Sequence, residues 1–216
     1  MIYVLNIILS FILMETVVIL SRKWLCYSFG RGAAAWDRII TFHGTVHHEL
    51  SHALFSILTG AKIIEINLWN PDNSDGSLGH VTIILSKNKT LRSIQRFFSA
   101  IAPLVMACIT TSILGSLLLN PLFTGESNIF EMISMLRFWI FIILVTPILY
   151  HATMSKSDIR MALSGSWFII LVLIVVALIS PTLIMIIDRY ITIIRNFVLV
   201  LMLIPITLGF LFRFAA

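Results

Sequence analysis

The chain has 216 residues, of which 59% are hydrophobic and 12% are charged, and its mean hydropathy is +1.01. These values exclude a soluble globular domain and indicate a multi-pass integral membrane protein. The formal charge of +5 comes from Lys and Arg residues scattered between apolar segments, as membrane topology requires, so we infer no nucleic-acid partner.

Six apolar segments are long enough to be predicted as transmembrane helices. They cover about 2–20, 39–61, 99–119, 133–152, 162–187 and 191–212, with a kink or thinning at Pro181 and a brief turn at 188–190. The first segment lacks a basic leader and a small-residue cleavage site, so we interpret it as a retained helix. Its Glu15 is interpreted as a hydrogen-bonded interior residue, and a role in packing or in the substrate path is the alternative. We therefore predict an all-α polytopic membrane fold that forms one domain over residues 1–216.

We interpret Gly60 as the stop of the helix in the second predicted span, and a change of hydrophobic periodicity follows it. Residues 62–69 and 80–85 are typical of two β-strands, and the turn-forming residues 70–77 separate them. We predict a β-hairpin over about 62–85. An exposed edge of such a hairpin can hold a peptide substrate in extended form by adding it as a strand. The predicted substrate-binding positions on the two strands are Ile63, Ile64, Ile66, Val81 and Ile83.

The second predicted span contains His48-Glu49-x-x-His52, the HExxH pattern. On a helix this spacing places the two imidazoles one turn apart on one face, where both can bind a single zinc ion. Glu49 lies beside that face, and its carboxylate can take a proton from a zinc-bound water and pass it to a leaving amine. Ionisable groups in an apolar span are costly and usually functional. The structural alternative is that the side chains of His48, Glu49 and His52 only form hydrogen bonds to neighbouring helices.

A catalytic zinc ion needs a third protein ligand. We considered Asp72, Asp75, His80, His151 and Asp158. Asp158 is preferred because it follows the fourth predicted span, on the same side of the membrane as the end of the HExxH helix in the predicted topology. Ser155-x-x-Asp158 also fits a helix capping box, so capping alone is the structural alternative. His151 is the reserve, either as a ligand or as a residue that supports the ligands or an oxyanion.

An HExxH helix in a membrane span, a following hairpin and a later acidic residue together resemble the site-2 protease family of intramembrane zinc metalloproteases, most closely its small bacterial peptidases. The matching residues are His48, Glu49, His52, Ala53, Gly60, Asn70-Pro71-Asp72 and Gly76, within about residues 43–85, and Ser155-x-x-Asp158 to Gly165 is a weaker match. Better-known members carry the third ligand in an Asn-Pro-Asp-Gly or Leu-Asp-Gly motif on a later helix, so we treat the early Asn-Pro-Asp as a look-alike. The resemblance implies a multi-pass protein of the bacterial cytoplasmic membrane.

The function implied by this resemblance is zinc-dependent hydrolysis of a peptide bond in or near a transmembrane segment. It uses one Zn²⁺ ion, with Glu49 acting as general base and then general acid, and its partners are a membrane protein or peptide substrate and the lipid bilayer. Two alternatives use the same His, Glu and Asp side chains. One is a transporter or a metal or proton pathway, although the sequence lacks the internal repeat that transporters commonly show. The other is a catalytically inactive zinc-binding scaffold.

Overall fold

The computed structural model describes residues 2–29, 41–70, 78–120, 125 and 128–215. Its helices are α1 (Ile2–Phe29), α2 (Phe42–Leu58), α3 (Lys89–Leu118), α4 (Ile129–Ser134), α5 (Leu136–Tyr150), α6 (Lys156–Ile179), α7 (Pro181–Leu201) and α8 (Leu203–Ala215), and its strands are β1 (Lys62–Asn67) and β2 (His80–Ile84). The fold is mostly helical, and a small two-stranded antiparallel sheet follows the HExxH helix. The predicted fold class is confirmed in this coarse form.

The number of described helices that are long enough to cross a membrane differs from the six predicted spans. Among the described residues, four helices are long and apolar enough to cross a membrane: Ile2–Ser28, Lys89–Leu118, Lys156–Ile179 and Pro181–Leu211. The predicted second and fourth spans correspond to α2, with 17 residues, and α5, with 15. At about 1.5 Å per residue, these helices are roughly 26 and 23 Å long, less than the hydrocarbon thickness of about 30 Å. Six full spans are therefore not confirmed.

The break between the last two long helices lies at Ser180, so the predicted turn at 188–190 is wrong. Ser180 has φ −139° and ψ 87°, and its hydroxyl accepts a hydrogen bond from the Leu183 N–H. Pro181 follows at the first position of α7, where its missing N–H has no helical partner in any case. Asp188 lies inside α7 and accepts a hydrogen bond of 2.6 Å from the Asn6 amide of α1. The polar side chain of Asp188 therefore connects α7 to α1 and does not mark a turn.

The end of α2 confirms the predicted stop at Gly60. The Ala61 N–H bonds to the Ser56 carbonyl at 2.8 Å, and the Gly60 N–H bonds to the Ile57 carbonyl at 2.9 Å. Gly60 has φ +74°, which glycine adopts without the steric cost that a Cβ would add. This is the Schellman arrangement, which satisfies the last carbonyls of a helix and turns the chain away from its axis. Here it directs the chain into β1.

The predicted hairpin strands pair in antiparallel register. Ile63 lies opposite Ile83, and Ile66 lies opposite Val81. A register shift between Ile63 and Glu65 leaves Ile64 as an extra residue, a β-bulge that bends the strand. The predicted turn at 70–77 lies outside the described residues except for Asn70, so Asp72 and Asp75 are not described.

The helices pack in two groups that α5 connects. One group joins α3 with α2 and α6, and the other joins α1 with α7 and α8. In the first group Gly165 of α6 meets α3 so closely that an added Cβ would lie 2.5 Å from the Ser93 carbonyl oxygen. Gly44 of α2 likewise lies against the Pro147 carbonyl of α5. These close approaches bring the start of α6 and the end of α5 beside the HExxH helix.

Candidate metal centre

Helix α2 places His48 and His52 one turn apart, and their Nε2 atoms lie 3.0 Å from each other. Two nitrogens on one tetrahedral zinc ion, with Zn–N bonds of about 2.0–2.1 Å, are about 3.3 Å apart. The observed separation is close to this value. The spacing of the HExxH pattern therefore produces the expected pair of converging ligand atoms.

The orientation of His52 depends on a carbonyl of α3. Its Nδ1 donates a hydrogen bond of 2.7 Å to the Ser99 carbonyl oxygen. In a regular helix that oxygen would accept from the N–H four residues later, but Pro103 occupies that position and has no N–H. Ser99 thus offers a buried acceptor that its own helix does not use. The proline in α3 is a supporting residue that the sequence analysis missed, and the Ser-x-x-x-Pro spacing in an apolar helix is its signal.

His48 is oriented by the end of α5. Its Nδ1 donates a hydrogen bond of 2.6 Å to the carbonyl oxygen of His151, which follows the last residue of that helix. Carbonyls at a helix C-terminus lack an N–H partner in the helix and are available to other donors. The ring of His151 faces elsewhere, because its Nε2 lies 2.7 Å from the Thr41 hydroxyl. His151 therefore supports a ligand through its main chain, and its ring is not part of the metal-binding group.

Asp158 completes a group of three ligand atoms. One donor atom each from His48, His52 and Asp158 lies within 4.8 Å of the others, and no other such group occurs among the described residues. The Asp158 Oδ2 atom lies 3.6 Å from His52 Nε2. The same residue forms the predicted capping box, in which Oδ2 accepts from the Ser155 N–H at 2.9 Å and from the Ser155 hydroxyl at 2.6 Å. Capping and proximity to the histidines therefore occur together.

The hydrogen bonds of the two histidines determine what their Nε2 atoms can do. A carbonyl oxygen only accepts, so Nδ1 carries the proton in both rings, and a neutral imidazole then has Nε2 as an acceptor. Two acceptors 3.0 Å apart cannot form a hydrogen bond with each other. This arrangement is unfavourable unless a cation or a proton lies between the lone pairs. Together with the Asp158 carboxylate, the two Nε2 atoms form a set of metal ligands that fits zinc.

Glu49 lies next to this group without belonging to it. Its side chain is buried, and it interacts electrostatically with His52 and Asp158. The hairpin covers it, because an added Cβ on Gly79 would lie 2.7 Å from Glu49 Cγ. Within the described part of the chain, its carboxylate oxygens form no hydrogen bond, so they can accept a proton from a water molecule. A carboxylate of this kind has the free acceptor oxygens that a general base needs.

Other residues considered at the sequence level lie outside the group. His80 pairs across the hairpin with Glu65, with 3.7 Å between Nε2 and Oε1. His47, which directly precedes the HExxH pattern, also lies outside the group, and its Nε2 is 2.9 Å from the Thr110 hydroxyl. Asp72 and Asp75 belong to the part of the chain that is not described. Of the predicted substrate-binding positions, Ile64 and Ile66 are exposed, and Ile63, Val81 and Ile83 are partly buried.

Comparison with known proteins adds no assignment. No protein-family model matches the chain, and neither curated proteins nor solved structures give a match. The class of this protein therefore has to be inferred from its membrane helices and from the geometry of the His48, His52 and Asp158 group.

Proposed function

We propose that the chain is an intramembrane zinc metalloendopeptidase that hydrolyses a peptide bond in or near a transmembrane segment of its substrate. The observation that carries this proposal is the pair of Nε2 atoms 3.0 Å apart, both of them acceptors, with a carboxylate within reach. Two such acceptors need a cation or a proton between their lone pairs to be stable, and a zinc ion meets this need with all three side chains at once. A buried carboxylate beside it, Glu49, adds the base that peptide hydrolysis requires.

Each residue has a separate role in this mechanism. His48, His52 and Asp158 would hold the metal ion. A bound zinc ion supplies Lewis acidity, which makes water a nucleophile at neutral pH and polarises the scissile carbonyl. Glu49 takes a proton from the attacking water and returns it to the leaving amine. The carbonyls of Ser99 and His151 keep the two imidazole rings in the orientation that directs Nε2 to the centre.

The hairpin is the proposed substrate-binding element. Gly79 contacts Glu49 and immediately precedes β2, so the sheet begins beside the proposed base. A two-stranded sheet has an unpaired edge on each side, and an extended peptide can bind there through main-chain hydrogen bonds. The exposed Ile64 and Ile66 side chains give this sheet an apolar surface that suits the sequence of a transmembrane segment.

A proton-sharing cluster is the second candidate. A protonated His52 would donate Nε2–H toward Asp158, 3.6 Å away, and the group would then belong to a proton or metal pathway. The two candidates differ in metal content. A peptidase keeps stoichiometric zinc after purification, whereas a proton pathway needs no metal ion.

The test measures metal content and cleavage on the same purified samples. Zinc per chain is determined by mass spectrometry, and cleavage is followed in proteoliposomes that hold a library of single-span peptides. The Glu49→Gln variant should retain zinc and lose cleavage, while His52→Ala and Asp158→Ala should lose both. Glu131→Gln is the matched control, because Glu131 is an exposed carboxylate on α4, outside both the metal-binding group and the proposed substrate-binding hairpin. Wild-type protein that takes up no zinc, or a Glu49→Gln variant that cleaves normally, would contradict the proposal.

A further inference from the structure

Two side chains of α1 reach the connector that joins α5 to α6. Glu15 Oε1 accepts a hydrogen bond of 2.8 Å from the Met154 N–H. One helical heptad later, the Arg22 guanidinium donates a hydrogen bond of 3.0 Å to the Thr153 hydroxyl and lies 4.8 Å from the centre of the Tyr150 ring. Residues seven apart lie on the same side of a helix. Glu15 and Arg22 of α1 thus both contact the end of α5 and the connector that follows it, residues 151–155.

This connector supports two of the three proposed ligands. At its beginning, the His151 carbonyl accepts the hydrogen bond that orients His48. At its end, the Ser155 N–H and hydroxyl both hold the carboxylate of Asp158. A displacement of the connector would therefore misplace one imidazole and the carboxylate at the same time. Met154, which Glu15 contacts, lies between these two supports.

Helix α1 contributes no residue to the metal-binding group. It packs chiefly against α7 and α8, whereas the ligands come from α2 and from the start of α6. The contacts of Glu15 and Arg22 therefore link the second helix group to the centre. They add polar contacts to a connector whose Ala152 already belongs to the hydrophobic core that contains Met14 and Val18 of α1.

The burial of Glu15 shows that this contact is costly. The residue is 8% exposed, and its second oxygen, Oε2, is buried without a hydrogen-bond partner in the described structure. Burying a polar group without a partner costs about as much free energy as one hydrogen bond returns. A contact of this kind contributes little to fold stability. Its value lies in fixing the position of the Met154 amide.

We propose that Glu15 is a positioning residue of the metal centre, which acts through the 151–155 connector on Asp158 and His48. This inference rests on the proposed metal site but not on the reaction that occurs there. A single acceptor oxygen at position 15 is sufficient for the role. The amide of Gln should therefore replace the carboxyl, and an apolar side chain of similar size should not.

The test is a titration of the purified, metal-free full-length protein with Co²⁺, followed by visible absorption. Glu15→Leu should weaken Co²⁺ binding about 10- to 100-fold, as the loss of residues that orient ligands typically does. It should also change the intensity of the ligand-field bands, because the carboxylate ligand is displaced. Glu15→Gln should restore both the affinity and the spectrum. A purely structural role of Glu15 would not alter the spectrum of the folded protein.

Ser10→Ala is the matched control on the same helix. Ser10 is buried and accepts a hydrogen bond of 3.2 Å from Arg195 of α7, away from the connector. The Ser10→Ala variant should bind Co²⁺ with the affinity and the spectrum of the wild type. If Glu15→Leu does not fold, Glu15→Asp replaces it, since the shorter carboxyl no longer reaches Met154, and a loss of about threefold or more is expected.

The outcomes separate this inference from the proposed function. If the wild type binds Co²⁺ and the Glu15 variants bind it with the same affinity and spectrum, the positioning role is wrong and the metal centre remains. An equal loss in Ser10→Ala would also overturn it. If the wild type itself binds no Co²⁺, the metal centre and the role of Glu15 are both wrong.

Discussion

The Ser155 hydroxyl gives a quantitative test of the link between helix capping and metal binding. It accepts a hydrogen bond of 3.1 Å from the Asp158 N–H and donates one of 2.6 Å to the Asp158 carboxylate. In a Ser155→Ala variant both are lost, but the backbone N–H at position 155 still donates to Oδ2. Loss of the cap should lower the free energy of unfolding by about 0.5–2 kcal/mol. Because half of the support for Oδ2 remains, we expect metal affinity to fall about tenfold, at the lower end of the usual range for such residues.

Competition titration with a chromophoric zinc chelator measures this change, and thermal unfolding of the metal-free protein measures the cap. Ser157→Ala is the control, because the Ser157 hydroxyl contacts only the Ser155 hydroxyl, at 2.7 Å, among the hydrogen bonds of the described residues. It should leave both quantities nearly unchanged. If Ser155→Ala lowered the stability but left zinc affinity within twofold of the wild type, Asp158 would act as a helix cap and not as a ligand.

Three glycines separate effects on the site from effects on the fold. Gly79→Ala should reduce cleavage but retain zinc, because the new Cβ would lie 2.7 Å from Glu49 Cγ. Assays of cleavage and of zinc content on the same preparation measure both effects. Gly44→Ala should reduce both stability and zinc content, since the new Cβ would collide with the Pro147 carbonyl and separate α2 from α5; normal zinc content would contradict this. Gly60→Ala should lower the unfolding free energy by about 1 kcal/mol through strain at positive φ and leave cleavage unchanged. A loss of cleavage in Gly60→Ala would contradict the separation.

The local parts of the site could be predicted from the sequence because short-range patterns determine them. The spacing of His48 and His52 predicts two imidazoles on one helical face, and the structure directs their Nε2 atoms toward each other. Gly60 predicts the end of α2, and Ser155-x-x-Asp158 predicts a capping box, both of which are present. In each case the residues that form the feature lie within five positions of one another.

The long-range contacts could not be predicted, because short-range sequence patterns do not show which distant residues meet. The helix partner of a polar residue is not visible in one sequence, so Asp188 was interpreted as part of a turn, although it accepts a hydrogen bond from α1. Glu15 was correctly interpreted as a hydrogen-bonded residue, but its partner, the Met154 N–H, is 139 positions away. Helix length was overestimated for α2 and α5 because apolar residues continue past the helix ends. Hydropathy reports burial in apolar surroundings and does not report where a helix stops.

The packing of α6 against α3 sets the distance between Asp158 and the two histidines. Asp158 occupies the first turn of α6, and α6 is held against α3 where Gly165 meets the Ser93 backbone. The same helix α3 offers the Ser99 carbonyl that orients His52. One helix therefore positions two ligands that come from different parts of the chain. It follows that a larger residue at position 165, about two turns from Asp158, should weaken metal binding without touching any ligand, because it would move α6 and His52 relative to each other.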